Sequence, residues 1–165
     1  MVELRKITHK NIEPLVLNLQ VAKEQEDFVA SNMTSLAQAY VSITNGGFAT
    51  PYAIYNGDLL VGFVMYTYAD SWGGDMDEPY AVPCYYIWRL FIDINHQRKG
   101  YGKQAVEKII AEIKTKPHGK ADRIYVSWHP DNIGSKTLFT SLGFKETGQK
   151  EGDADDDEII AKLDI

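Results

Sequence analysis

Seven residues, Gln97-Arg98-Lys99-Gly100-Tyr101-Gly102-Lys103, stand between an apolar run and a helical pattern. The run before them is Tyr86-Ile87-Trp88-Arg89-Leu90-Phe91-Ile92, and the pattern after them extends from Gln104 to Lys114. A strand that ends in a glycine-bearing turn and enters a helix leaves the first helical amides without intrahelical acceptors. Those amides lie at the positive end of the helix dipole, which makes an anion site. Gly100 and Gly102 let the backbone approach a ligand, since a side chain at either position would stand in the way. The turn is expected to hold a pyrophosphate.

The elements around it can be taken in order. Val2, Leu4 and Ile7 alternate imperfectly and predict a first strand. Thr8 to Asn11 offer caps for a helix from about Ile12, with Pro14 in its first turn and Leu15, Leu17, Leu19, Val21 and Ala22 continuing it. Ser35 is a cap for a second helix, Leu36 to about Thr44, stopped by Asn45-Gly46-Gly47. Pro51 to Tyr55 and Leu59 to Tyr68 read as strands joined by a hairpin at Asn56-Gly57. The second is apolar enough to lie mid-sheet, and Gly62 within it predicts a bulge or a close backbone contact.

After a loop from Ala69 to Pro83 comes a central strand, Cys84 to Asp93, and then the glycine turn. Ala105, Ile109, Ile110 and Ile113 give the following helix an apolar face. A strand from Arg123 to Trp128, a helix capped by Asp131 or Asn132 and running to about Ser141, and strands from Phe144 to about Gln149 and from Ile159 to Ile165 complete the chain. Strand, two helices, three strands, helix, strand, helix, two strands is an α/β mixture around one mixed sheet.

Residues 1–165 are expected to form one domain, since the chain shows no linker, repeat or low-complexity segment. The net charge of -6 argues against nucleic acid as a partner and suits a cationic substrate. Cys84 is the only cysteine, so no internal disulfide can form, which agrees with a cytoplasmic location. No leader and no membrane-spanning run is visible.

The chain resembles the GNAT superfamily of acyl-CoA-dependent N-acetyltransferases in four segments. Gln97 to Gly102 fits that family's pyrophosphate pattern, Gln/Arg-x-x-Gly-x-Gly/Ala. Arg89-Leu90-Phe91-Ile92-Asp93 stands where its pantetheine-contacting strand stands. Asn132-Ile133-Gly134-Ser135-Lys136-Thr137-Leu138-Phe139 is similar to its Asn-x-x-Ala-x-x-x-Tyr segment, and Leu142-Gly143-Phe144 to its Leu/Phe-Gly-Phe ending. A narrower resemblance, to bacterial spermine/spermidine acetyltransferases, rests on Gln25 to Asn32, Ser35-Leu36-Ala37, Asn56-Gly57-Asp58 and Val61-Gly62-Phe63.

The resemblance implies a fold and a chemistry. The fold is α/β (α+β by some schemes): a mixed, strongly twisted sheet of about seven strands and about four helices, with two central parallel strands splayed apart. Acetyl-CoA is the implied co-substrate, with no metal, and a primary amine such as spermidine or spermine is the implied acceptor; a homodimer is a family expectation. Amides in the stretch Gln97, Arg98, Lys99, Gly100, Tyr101, Gly102 and Lys103 bind the pyrophosphate, with added charge from Arg98, Lys99 and Lys103. Backbone groups of Leu90, Phe91 and Ile92 pair with the pantetheine arm as if it were a short strand. Asn132 either bonds the pantetheine or caps its helix, and Ser135 stands where the family commonly has alanine.

Two departures concern catalysis. Phe139 occupies the place of the usual tyrosine, whose hydroxyl protonates the leaving thiolate, and it carries no such proton. Trp88 stands where some polyamine acetyltransferases carry a strand carboxylate. Three explanations remain open: water-assisted departure of the thiolate, a substitute such as Tyr85 or Tyr86, or acyl-CoA binding without transfer. The candidate bases for deprotonating the amine are Glu24, Glu26 and His129, and the amide of Ile92 is the candidate to steady the carbonyl oxygen. Glu24, Glu26, Asp27, Asp70, Asp75, Asp77 and Glu78 either attract a polycation or are solvated surface. Asp153, Asp155, Asp156 and Asp157 lack the spacing of a calcium loop, and His9, His96, His118 and His129 lack metal-ligand spacing.

Overall fold

The computed structural model describes residues 1–69, 80–152 and 157–165, so Asp70, Asp75, Asp77, Glu78, Asp153, Asp155 and Asp156 lie outside the described residues. Seven strands form one sheet: β1 Val2–Lys6, β2 Thr50–Asn56, β3 Leu59–Ala69, β4 Cys84–Ile92, β5 Arg123–Trp128, β6 Lys145–Glu151 and β7 Glu158–Asp164. Their spatial order is β1-β2-β3-β4-β5-β7-β6, antiparallel throughout except for the parallel β4–β5 pair. Among the described residues four α-helices accompany them, α1 Ile12–Leu17, α2 Asn32–Thr44, α3 Tyr101–Ile113 and α4 Ile133–Ser141.

Each face of the sheet has its own core. Ala105, Val106, Ile109 and Ile113 of α3 pack on one face with Ile54, Val64, Tyr66, Tyr85, Ile87, Val126 and Trp128. On the other, Leu15 and Ala39 of α1 and α2 pack with Ala53, Phe63, Met65 and Phe91. Strands covered on both faces read as near-continuous apolar runs. This is why Leu59 to Tyr66 carries so little polar character.

Both readings of Gly62 hold. Ile54 pairs with Gly62 but Tyr55 with Leu60, so Val61 is an extra residue on β3. A Cβ on Gly62 would lie 2.3 Å from the Phe91 carbonyl oxygen, which no side chain tolerates. The predicted hairpin forms one residue later than its strongest dipeptide: Asn56 pairs with Leu59, and Gly57-Asp58 make the turn.

Three elements differ from the sequence reading. The first helix stops at Leu17, because Leu15, Leu17, Leu19 and Val21 repeat every two residues, a period that no helix face follows. A short 3-10 segment, Lys23–Phe28, comes after it. The second helix begins at Asn32 and is capped by Ser31, whose Oγ accepts from the Thr34 amide at 3.1 Å. Ser35 is buried inside that helix, donating to the Ser31 carbonyl at 2.9 Å. Finally, β7 does not close the sheet; it lies between β5 and β6, and β6 with its mostly exposed side chains is the edge. Lys145, Glu146, Lys150 and Glu151 give that edge the charge that discourages further strand pairing.

Candidate active site

The parallel pairing of β4 with β5 stops after two residue pairs, Tyr85 with Ile124 and Tyr86 with Tyr125. Beyond Tyr86 the strands part, although β4 continues to Ile92 and β5 to Trp128. A cavity of about 860 Å³ opens into the gap, walled by both strands, the start of α3, one side of α4 and the 3-10 segment. Among the described residues, backbone groups on the facing edges have no strand partner there, and buried backbone groups need partners.

A bulge sets which β4 side chains face the gap. Met65 pairs with Arg89 but Tyr66 with Ile87, so Trp88 is an extra residue. Before it, Tyr85 and Ile87 belong to the α3-side core; after it, Leu90 and Ile92 do, while Trp88 and Phe91 turn to the α1–α2 side. An uninterrupted strand would have kept the odd-numbered residues on one face.

The glycine turn has the predicted form, but its two glycines have different reasons. Gly100 is the N-cap of α3 with φ of +79°, and a Cβ there would meet nothing nearer than 3.8 Å. Its constraint is conformational, because L side chains disfavour the left-handed region. Arg98 shares that region, with φ of +59°. Gly102 is helical and buried, and its Cβ would press on Leu138 Cδ1 at 3.1 Å. It lets α3 approach α4, so it serves packing more than ligand access. The Gln104 amide is the first to bond back, to the Gly100 carbonyl at 3.1 Å, which leaves the Tyr101, Gly102 and Lys103 amides without intrahelical acceptors.

Gln97 closes the turn against its surroundings. Its Nε2 donates to Gln25 Oε1 at 2.8 Å and to the Ile92 carbonyl at 3.0 Å, which ties the 3-10 segment to the end of β4. Lys99 Nζ donates to the Asn95 carbonyl at 2.7 Å. On the opposite wall Asn132 caps α4, its Oδ1 accepting from the Ser135 amide at 3.0 Å. Phe139 is 3% exposed, stacked on Trp128 at 6.1 Å and edge-on to Phe144 at 5.3 Å.

Eleven of the thirteen residues expected at a cofactor line this cavity: Leu90, Ile92, Gln97, Arg98, Gly100, Tyr101, Gly102, Lys103, Asn132, Ser135 and Phe139. Phe91 and Lys99 do not. Nor do the candidate bases. Glu24 and Glu26 are exposed on the 3-10 segment, and His129 stacks on Phe28 at 5.3 Å while its Nδ1 accepts from the Asp131 amide at 3.2 Å. Asp27 does line the cavity. Tyr85 faces away, its hydroxyl donating to the Gly119 carbonyl at 2.9 Å, whereas Tyr86 is on the wall.

A polar cluster at the root of the gap had no motif to announce it. Ser127 Oγ donates to Glu158 Oε2, and Tyr86 Oη lies 2.7 Å from Ser127 Oγ and 3.2 Å from Glu151 Oε1. Burial first, and the Glu151 carboxylate second, hold the Tyr86 phenol well above its usual range. Nearby, Arg89 donates to the Trp88 carbonyl at 2.7 Å and to Gln38 Oε1 at 3.0 Å, with burial lowering its pKa. Four strands contribute to this cluster, so only their pairing brings it together.

Arg89 Nε, His96 Nδ1 and Trp128 Nε1 are buried without a hydrogen-bond partner among the described residues, and all three residues line the cavity. Native interiors rarely leave such groups unmatched, so a polar ligand fits here. Cys84 is fully buried and its thiol is pushed up to about 12 by desolvation, which leaves it a core residue. Among the described residues no three His, Cys, Asp or Glu side chains gather as a metal site, and no helix is long and apolar enough to cross a membrane.

The chain is similar to several known proteins. The chain is 27% identical over 148 residues to the spermine/spermidine N(1)-acetyltransferase of Bacillus subtilis (strain 168), covering 90% of each. Two solved structures share its fold. One is a Bacillus subtilis acetyltransferase in complex with CoA, at 18% identity and TM-score 0.63, covering 99% of this chain and 97% of that one. The other is aminoglycoside acetyltransferase AAC(6')-Ib in complex with coenzyme A, at 16% identity and TM-score 0.77, covering 99% and 95%. Residues 15–144 match the acetyltransferase (GNAT) family, a span that takes in the glycine turn, the splayed strands and α4. The chain belongs to that family.

Proposed function

We propose that the chain transfers an acetyl group directly from acetyl-CoA to a primary amine, with a polyamine such as spermidine or spermine as acceptor. One observation carries the reading: β4 and β5 part after Tyr86 and Tyr125, and the residues whose free amides begin α3 line the cavity that opens there. Pantetheine is an amide-bearing chain that can pair with the exposed strand edges of Leu90 and Ile92. The pyrophosphate suits the Tyr101, Gly102 and Lys103 amides and the charge of Arg98 and Lys103. Asn132 uses its Oδ1 as a helix cap and keeps its Nδ2 for the cofactor, so its two readings are compatible.

Acetyl-CoA supplies the activated thioester, and the chain's residues orient it and exclude water. The Trp128–Phe139 stack forms an apolar wall, and the Ile92 amide is the candidate donor to the carbonyl oxygen. The polyamine assignment draws on the Bacillus relative, on Asp27 and Glu158 in the cavity wall, and on Glu24 and Glu26 close by. The test is CoA release across a panel of amines. Turnover of spermidine and spermine supports the assignment; turnover confined to aminoglycosides, peptide N-termini or lysine side chains overturns it.

A second reading rests on Phe139, which cannot protonate a thiolate. The protein would then bind acyl-CoA as a sensor without transfer. Calorimetric binding of acetyl-CoA, with no CoA released to any amine, favours that reading.

A further inference from the structure

We propose that Glu158, held by Ser127, takes the proton from the acceptor ammonium. The inference rests on the transferase reading and deepens it, since it supplies the base that Glu24, Glu26 and His129 do not provide at the cavity wall.

Position comes first. Ile159 pairs with Trp128, so β7 begins beside the end of β5 and places Glu158 at the splay. Glu158 and Asp27 are the carboxylates on the cavity wall among the described residues. Asp27 is exposed, whereas Glu158 is half-buried and fixed by the Ser127 hydroxyl. A carboxylate held in one orientation and partly withdrawn from water is the better proton acceptor for an enclosed amine.

Direction comes second. Ile124, Val126 and Trp128 of β5 pack on the α3 side of the sheet, so Tyr125 and Ser127 face the other side. The pyrophosphate turn and the Ser127–Glu158 pair therefore meet the gap from opposite faces. A donor entering over α3 and an amine entering from the α1–α2 side would converge at the thioester.

Wiring comes third. Because the Ser127 hydrogen points to Glu158, the single Tyr86 hydroxyl hydrogen is directed to Ser127 Oγ at 2.7 Å and is shared with Glu151 Oε1 at 3.2 Å. Among the described residues, Tyr86 and Arg89 on β4 lie within electrostatic reach of Glu158, and Glu151 on β6 stands opposite it in the strand register.

One N–H bond of R–NH3+ breaks and its proton goes to a Glu158 carboxylate oxygen. The freed lone pair forms the N–C bond at the thioester carbonyl; the C–S bond breaks with its electron pair on sulfur, and a second nitrogen proton ends on the thiol. The products are the acetamide and CoA–SH, and Glu158 later releases its proton to solvent.

The experiment compares wild type, Glu158→Gln and Ser127→Ala with two acceptors: the best alkyl amine of the panel, and an alkoxyamine, which is already neutral at about pH 7. Glu158→Gln should lower kcat for the alkyl amine by about 10²–10³-fold, the usual range for a lost general base. The loss should shrink as pH rises toward the amine's own pKa, be at least about tenfold smaller for the alkoxyamine, and leave the Kd for CoA unchanged. Ser127→Ala should show the same pattern at about tenfold. A loss equal for both acceptors at every pH, or a kcat within about threefold of wild type, overturns the proposal. If Glu158→Gln fails to bind CoA, the Ser127→Ala comparison decides by the same criteria. If wild type binds CoA but turns over no amine, the transferase reading falls, and this inference with it.

Discussion

Gly100→Ala isolates the backbone turn on which pyrophosphate binding is proposed to depend. The added Cβ meets nothing nearer than Gln104 Nε2 at 3.8 Å, so there is no clash to confuse the result. Its cost is that of holding alanine at φ of +79°, about 1–2 kcal/mol. At roughly 2–4 °C per kcal/mol for a chain of this size, Tm should fall by about 2–8 °C. Gly148→Ala is the matched control: φ is +81°, the space is equally open, and the residue sits on edge strand β6, off the cavity wall. The two variants should lose similar stability. They should differ in binding, because alanine at position 100 relieves its strain by rotating the turn and turning the Tyr101–Lys103 amides away. Losing one charge-assisted bond of about 1.5–3 kcal/mol corresponds to a CoA affinity about 10- to 140-fold weaker. Calorimetric titration of wild type, Gly100→Ala and Gly148→Ala with CoA, and with pantetheine, which lacks the pyrophosphate, reads this directly. Pantetheine binding should not distinguish the variants. If Gly100→Ala binds CoA as tightly as Gly148→Ala does, the pyrophosphate is not held by this turn.

Other substitutions test the frame and the chemistry. Gly62→Ala should cost about 3 kcal/mol or more, since its Cβ would sit 2.3 Å from the Phe91 carbonyl oxygen; a chemical denaturation midpoint within error of wild type would show that β3 and β4 can part without penalty. Phe139→Tyr puts a hydroxyl on a ring that is 3% exposed, so Tm should drop by a few degrees while kcat stays within about threefold. A gain of about tenfold would instead show that an acid is missing at that position. Alkaline pH should weaken the fold: burial lifts Cys84 from 9.0 to about 12, and burial with the Glu112 carboxylate lifts Tyr52 from 10.0 to about 12. The folded state keeps protons that the unfolded chain releases, so this stability is complete below about pH 9 and is lost as pH climbs toward 12. Denaturation midpoints that do not fall between about pH 8.5 and 10.5 would refute it.

What could be read from the sequence divides by the range of the interaction that sets it. The glycine turn, the hairpin at Gly57 and the α3 face are written in neighbouring residues, and their local chemistry decides them. The α1 region misled because Leu15 to Val21 repeats with a strand period in a segment whose neighbours are helical, and tertiary packing resolved the conflict by ending the helix at Leu17. The β4 bulge is equally invisible in Tyr86 to Ile92, where every residue is apolar or aromatic except Arg89; its position appears only in the register against Met65 and Tyr66. The Glu158 cluster is the extreme case. Ser127 and Glu158 are separated by 31 residues, Tyr86 and Glu151 by 65, and none belongs to a motif. They meet because β7 inserts between β5 and β6, the strand order that the chain sequence least suggests. The turn proposed to hold the donor is contiguous in the chain, so its geometry was legible. The half that handles the amine's proton is assembled by long-range strand pairing, so a phenylalanine at position 139 does not by itself decide whether this fold performs the transfer.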